Sequence, residues 1–250
     1  MTADLRQAIS RYADVHADAD GFATAPVAGV GMMRTCAPTG IMHAIYKPLL
    51  CLVVQGAKQV VAEGAVHHFA AWQSLIVSVD LPILGRVVRA SRVEPFLSVA
   101  LDLDMGVMRE VMGQVAVAAG PSPGRDPPAV SSPAVNSSVF VDETDAAVAD
   151  CALRLVRLLD RPEAAAVLRP AIITELHYWL LAGRHGAALR RLALPGSHAQ
   201  RITRAVALLR AEFARPIPVG RLAAAAGMSA SSFHQHFKAV TSLSPLQFQK

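Results

Sequence analysis

The residues whose types and spacing could do chemistry lie near the C-terminal end. Ser231, His234, Gln235 and Lys238 follow one another at intervals of three, one and three residues, which puts them on one outward face if the segment is helical. Imidazole and amide side chains such as His234 and Gln235 can address base edges, while the Ser231 hydroxyl and the Lys238 ammonium can address phosphate oxygens. Arg201, Arg204 and Arg221 add fixed positive charge nearby, and Ser229 stands just before the same segment. From Ser197 to Lys250 seven Lys and Arg face a single acid, Glu212; the chain totals of 24 and 19 leave 17 basic and 18 acidic residues for everything before it. A basic end on a near-neutral body is the asymmetry of a polyanion contact. A solvated, Arg-rich helical surface has the same composition, so charge alone does not decide between the two.

Other chemistries find less support. His43, His67, His68, Glu63 and Asp80 could ligate a metal, but the adjacent His67 and His68 of a strand point to opposite faces, and no Glu follows them in reach. Neither a G-x-S-x-G turn, a Walker loop nor a G-x-G-x-x-G fingerprint occurs. Cys36, Cys51 and Cys151 are far apart and lack metal-ligand spacing; Cys51, in an apolar run, reads as a small core residue, whereas Cys36, beside Pro38 and Gly40, could be exposed. The expectation is a chain with no catalytic residue, no metal and no cofactor, and not an enzyme.

The elements that must position these residues change character along the chain. Asp4–Ala19 reads as a polar, weakly amphipathic helix. Between Val27 and about Leu103 come short β-rich runs (Leu49–Val54, Gln59–Ala62, His67–Phe69, Leu75–Val79, Arg86–Arg89, Phe96–Leu101) separated by turn signals at Gly56, Gly64, Asp80-Leu81-Pro82 and Glu94-Pro95. That spacing predicts a small barrel or sandwich. Met105–Met112 reads as a short closing helix, and Gly120–Ser138, dense in Pro, Ser and Gly, as a linker or mobile loop. Thr144–Leu159 places Val148, Cys151, Leu155 and Leu158/Leu159 on one apolar stripe, and this helix and Ile172–Leu181 could supply a dimer surface or be buried within the monomer. Pro162 starts a further helix, Pro170 could kink it ahead of Ile172–Leu181, and the Arg-rich Ala187–Leu192 follows. Pro195-Gly196 then breaks the chain. The longest apolar runs are too short to cross a membrane and the N-terminus has no secretory pattern, so the expected location is the cytoplasm.

The last 54 residues carry the strongest pattern. A helix from Ser197 or His198 to about Phe213 places Ile202, Val206, Leu209 and Phe213 on one face; Pro216-Ile217-Pro218 breaks it. Val219–Ala226 forms a short Ala-rich helix with Leu222 as its large contact. Gly227 suits the left-handed position after that helix, Met228 can plug the corner, and Ser229 is a good N-cap for the next one. Phe233, Phe237 and Val240 then share an inward face. Two short helices joined by a tight Gly turn describe a helix-turn-helix, although G-x-S turns also occur in ordinary all-α domains.

The run PVGRLAAAAGMSASSFHQHFKAVTSLSPLQFQK resembles the first helix-turn-helix of AraC/XylS-type regulators and the start of their connecting helix, matching at Leu222-Ala223, Gly227-Met228-Ser229, Ser232-Phe233, Phe237-Lys238, Thr241 and Ser244-Pro245. Upstream, PLLCLVVQGAKQVV and LIVSVDLPILGRVVRASRVEPFLSVALDLD resemble the cupin-like N-terminal domain of one AraC subgroup, as does RLVRLLDRPEAAAVLRPAIITELHYWLLAG. Pro218, Gly220 and Arg221 depart from the usual Ser or Thr followed by acids at the start of the motif. Arg221 there either opposes the helix dipole as a neutral surface residue or adds a phosphate contact.

The resemblance implies an α+β protein: a cupin-like β-barrel or sandwich (1–115), a linker or mobile loop (116–140), a helical connecting or dimerisation region (141–196), and a DNA-binding domain (197–250) that is incomplete, the family's second helix-turn-helix lying beyond Lys250. It implies a regulator that recognises double-stranded DNA and alters transcription on binding a small-molecule effector, with a homodimer and RNA polymerase as partners. A small barrel can enclose a cavity. Its candidate lining residues are His43, Tyr46, Gln55, Lys58, His67 and Trp72, against packing for Trp72 and a turn or edge role for Gln55 and Lys58. The alternatives are a metal-dependent cupin-type enzyme and a ligand-free dimerisation module with a basic tail.

Overall fold

The structure is a computed structural model that describes residues 2–119, 138–193, 198–212, 215–241 and 243–249. Among the described residues, ten strands form two antiparallel sheets. The strands are β1 (Phe22–Thr24), β2 (Val30–Thr35), β3 (Met42–Tyr46), β4 (Leu49–Gln55), β5 (Ala57–Ala62), β6 (Ala65–Ala70), β7 (Gln73–Val77), β8 (Leu81–Arg89), β9 (Phe96–Asp102) and β10 (Val139–Glu143). A six-stranded sheet runs β1-β2-β9-β4-β7-β10 and a four-stranded sheet β3-β8-β5-β6.

The six-stranded sheet is covered on both faces, which explains its sequence texture. Along β4, Cys51 and Val53 point into a core shared with Val60, Phe69, Ile83 and Val87 of the smaller sheet. The alternate residues Leu50, Leu52 and Val54 point into a second core beneath the helices. A strand buried on both sides is apolar throughout, and LLCLVV is that kind of run. The smaller sheet has one solvated face, so β8 alternates, with Leu81, Ile83 and Val87 buried and Leu84, Arg86 and Val88 exposed. Glu63 and Gly64, both at positive φ (52° and 73°), make the two-residue hairpin turn between β5 and β6.

Helices form the third layer. α1 (Thr2–His16) buries Leu5, Ala8, Ile9 and Ala13 against the larger sheet, and its charged side pairs Asp14 with Arg34 at 2.6 Å and Arg11 with Asp160. α2 (Met105–Ala119) runs well past the expected end at Met112. α3 (Ala146–Arg157), capped by the Asp145 carboxylate on the Ala147 amide, passes through a 3-10 turn (Leu158–Asp160) into α4 (Pro162–Ala182), which starts on Pro162. Pro170 lies inside α4 and does not end it. The stripe Val148, Cys151, Leu155, Ile172, Ile173, Leu176 and Leu180 that could have served a dimer is buried within the chain, in the core under the sheet. α5 (Gly186–Ala193) follows.

The expected linker begins inside α2 and ends inside β10; its Pro- and Gly-rich centre, 120–137, lies outside the described residues, as do Pro195-Gly196, Ser197, Phe213 and Lys250. The start of β10 falls within that expected linker, yet the strand pairs with β7 over Val139–Glu143, held at its start by the Ser138 amide donating to the Glu63 carboxylate at 2.9 Å. The C-terminal helices are α6 (His198–Ala211), α7 (Val219–Ala226), α8 (Ala230–Thr241) and α9 (Pro245–Phe248), around their own core. Among the described residues no helix is long and apolar enough to cross a membrane.

Candidate nucleic-acid interface and interior cavity

α7 and α8 are joined by three residues whose chemistry sets the turn. Gly227 has φ 63° and ψ 42°, its amide donates to Ala224, and the Met228 amide reaches back to the Ala223 carbonyl at 2.9 Å. These two bonds close a Schellman motif, which only a residue at ease with positive φ can complete. Ser229 then caps α8, its hydroxyl accepting the Ser232 amide at 3.3 Å. The hydroxyl, which is exposed, also lies 3.3 Å from Ser231 Oγ.

The inward face of α8 is fixed by aromatic packing. Phe233 and Phe237 are fully buried, their rings 5.2 Å apart, and Phe237 meets Phe248 of α9 edge-on at 5.3 Å. They pack with Ile202, Val206, Leu209 and Leu222 from α6 and α7, while Met228 closes the corner. The Val240 side chain lies outside the described residues. With that face locked, Ser231, His234, Gln235 and Lys238 are all exposed along one stripe of α8. Arg204 is exposed on α6 and Arg201 half-buried.

Arg221 is exposed and paired within the domain. Its guanidinium forks onto the Glu212 carboxylate at 2.9 and 3.0 Å. The hydrogen bond from Arg221 holds the Glu212 carboxyl below its ordinary pKa, and the same pairing raises that of Arg221. A clamp with no counterpart in the sequence pattern is Gln249: its side chain accepts from the Ile217 amide at 2.7 Å and donates to the Ile217 carbonyl at 3.1 Å, tying the α9 end to the Pro216–Pro218 break. No local signal marks a glutamine for such a role.

Of the six residues expected around a ligand, the structure brings two together. Tyr46 and Lys58 line a cavity of about 220 Å³ between the sheets, with Met32, Met33, Met42, Cys51 and Ser98. Lys58 occupies an inward position of β5, in phase with Val60 and Ala62, and is only 3% exposed. It donates to the Tyr46 hydroxyl at 3.1 Å, with its nitrogen 5.8 Å from the ring centroid. Burial works against the ammonium, but the Tyr46 hydroxyl and the Cys51 thiol outweigh it, so the lysine pKa is displaced upward and Lys58 stays charged at neutral pH. Burial pushes the Cys51 thiol up, against the opposing pull of Lys58 and Ser98, which favours its protonated form.

The other four sit elsewhere. His43 is exposed on the outer face of the smaller sheet, lining a groove with Ile45, Leu84, Thr241 and Leu243. Gln55 donates to the Pro95 carbonyl at 2.8 Å and orders the loop before β9. His67 is half-buried and His68 exposed on β6, as strand parity requires. Trp72 holds the turn before β7 at φ 68°, its amide on Val53 at 2.7 Å, and its ring packs on the helix side of the larger sheet. Met33, Cys51 and Ser98 carry no mark of a lining role in the sequence, because their inward placement follows from strand register, and Met32, whose side chain packs under the helices, borders the cavity from the other side of β2. Among the described residues no three His, Cys, Asp or Glu side chains come together in a metal-binding arrangement.

Residues 26–188 match the family model described as the AraC-type transcriptional regulator N-terminus, and residues 209–250 match that of bacterial regulatory helix-turn-helix proteins of the AraC family. No curated protein matches the chain. Among solved structures, similarity extends to unsaturated fatty acid bound wild-type ToxT from Vibrio cholerae strain SCE256 (TM-score 0.35, 10% identity, 88% of this chain and 94% of that one) and to ToxT from Vibrio cholerae O395 (0.35, 8%, 92% and 97%). It extends also to the AraC-like transcriptional activator CuxR (0.38, 14%, 85% and 72%). Likenesses this weak say nothing about the cavity or the interface.

Proposed function

The chain belongs to the AraC family of bacterial transcriptional regulators, and on that premise we propose that it reads a specific duplex DNA sequence through α8 and responds to a small molecule held in the N-terminal domain. One observation supports the DNA half most directly. The second helix of a helix-turn-helix, its apolar face locked by Phe233 and Phe237, presents Ser231, His234, Gln235 and Lys238 to solvent in a single stripe. In the major groove, such a stripe sets His234 and Gln235 against base edges and Ser231 and Lys238 against phosphates. Arg201 and Arg204 extend the basic surface along α6, and Ser229 contributes by fixing where α8 begins.

A homodimer on a two-part operator and a contact with RNA polymerase belong to the same reading. For the dimer, α4 leaves Val167, Leu168, Tyr178 and Trp179 exposed as apolar surface. For the sensor, the support is the interior cavity with its buried charge.

The test is competition binding of the chain to its own upstream DNA across a salt series. Replacing His234 and Gln235 by Ala should cut preference over random DNA by about ten- to a hundredfold for each base edge that is no longer read. Lys238→Ala should weaken all sequences alike and flatten the salt slope by about one. Unchanged preference in the His234, Gln235 double variant would remove α8 as the reading helix.

A further inference from the structure

We propose that the cavity between the two sheets binds a small monocarboxylate with a compact apolar body, its carboxylate paired with Lys58 and Tyr46. The proposal deepens the sensor reading above and rests on it.

A lysine at an inward strand position is the anomaly from which this follows. The neighbouring inward residues of β5 are Val60 and Ala62, and an apolar residue at 58 would continue the core. Instead the ammonium is carried inside, and among the described residues its hydrogen-bond partner is a neutral phenol and no carboxylate forms an ion pair with it. A buried cation without a counter-charge is costly, and the cost falls sharply once an anion with good geometry arrives. Gly85 on the adjacent β8 faces the lysine stem, a Cβ there standing at contact distance, 3.4 Å from Lys58 Cε and 3.7 Å from the Tyr46 hydroxyl. The head group is thus seated by β3, β5 and β8 together, so it is positioned rather than stray.

The rest of the cavity sets the class of ligand. One ammonium, the Tyr46 hydroxyl and the Ser98 hydroxyl are its polar groups of note, and no Arg lines it. That complement balances a single negative charge; a phosphate dianion would be left undercompensated and would call for the planar fork of an arginine. Met33 and Met42 supply an adaptable apolar wall. At about 220 Å³ the space is below the roughly 300–1,000 Å³ of drug-sized pockets, so the ligand is small. Entry is from one side. The edge strands β1 and β3 leave Phe22, Thr24 and Ala44 exposed at the rim, whereas the opposite edges, β10 and β6, pack on each other.

The experiment is a thermal-shift titration of the full chain with hexanoate and benzoate beside hexanamide and benzamide, repeated on Lys58→Met and Tyr46→Phe. At about a hundredfold excess over Kd a carboxylate should raise Tm by about 5–10 °C, and the matched amides should not. Lys58→Met should abolish the shift. Tyr46→Phe, which removes one hydroxyl and keeps the ring, should weaken carboxylate affinity about tenfold, and it serves as the readout if Lys58→Met fails to fold. No shift with either acid, equal shifts with the amides, or an undiminished affinity in Tyr46→Phe would each overturn the proposal. DNA retention measured with and without hexanoate separates the two readings. Retention that responds supports both. A carboxylate shift with unaltered retention leaves the cavity assignment standing and overturns the sensor reading, while intact sequence preference with no shift overturns the cavity assignment alone.

Discussion

His177 on α4 is fully buried, and both of its ring nitrogens are committed: Nε2 accepts the Asp104 amide at 2.9 Å, and Nδ1 donates to the Ile173 carbonyl at 2.7 Å. An imidazole that accepts at one nitrogen must be neutral there, and burial accordingly lowers its pKa from the usual value near 6.5. His185, stacked on Phe140 at 4.7 Å, is lowered for the same principal reason, with Asp142 opposing. The sign follows from linkage. The unfolded chain takes up protons first, so the stability these histidines contribute is complete above pH 6.5 and is lost as pH falls through their depressed folded values. Urea midpoints should therefore drop between pH 7.5 and pH 5, and His177→Leu should reduce that drop while leaving the part due to His185. The same variant should be less stable by about 1–3 kcal/mol at neutral pH, because the Asp104 amide loses its acceptor at the partly buried start of α2. A pH slope unchanged by His177→Leu would show that the ring titrates alike folded and unfolded.

At the scale of elements, the legible features are those that local chemistry alone dictates. Gly227 at the left-handed position, Ser229 as cap and Pro162 at the first turn of α4 all act within a few residues of themselves, and each is where the sequence places it. Lys58 and Tyr46 are legible as chemistry but not as a pair, since their meeting depends on β3 and β5 both pairing with β8. His43, Gln55 and Trp72 have the same residue types as ligand-binding groups, yet parity and turn geometry turn them elsewhere. β10 is invisible for a related reason, as its five residues become a strand through pairing with the distant β7. Gly227 gives the element-scale prediction. A Cβ there would meet nothing within 4 Å, so the cost of Gly227→Ala is conformational, about 1–2 kcal/mol, and Gly227→Asn should recover part of it. Thermal unfolding followed with DNA competition should show both variants less stable, with sequence preference intact.

Across the whole molecule the two halves are electrically different, and the basic C-terminal part keeps one of its charges internally neutralised. Glu212 is the single acid after Ser197, and it is bound in a two-point pair with Arg221 at the start of α7. Both groups are solvent-facing, so the pair contributes little to stability, and its larger effect is on the field that an approaching duplex meets. Glu212→Gln removes the acid and leaves Arg221 charged and unpaired beside the helix-turn-helix. If Arg221 lies along the phosphate path, affinity for all duplex sequences should rise several-fold at low salt. The slope of log K against log salt should then steepen by about 0.9, the signature of one more neutralised phosphate. If Arg221 lies off that path, the general rise in positive charge should lift affinity only slightly, with no change in slope, because a distant charge is screened within about 10 Å at ordinary ionic strength. The slope, more than the affinity, therefore decides whether Arg221 is a DNA contact held in reserve by Glu212 or only the partner that fixes α6 against α7.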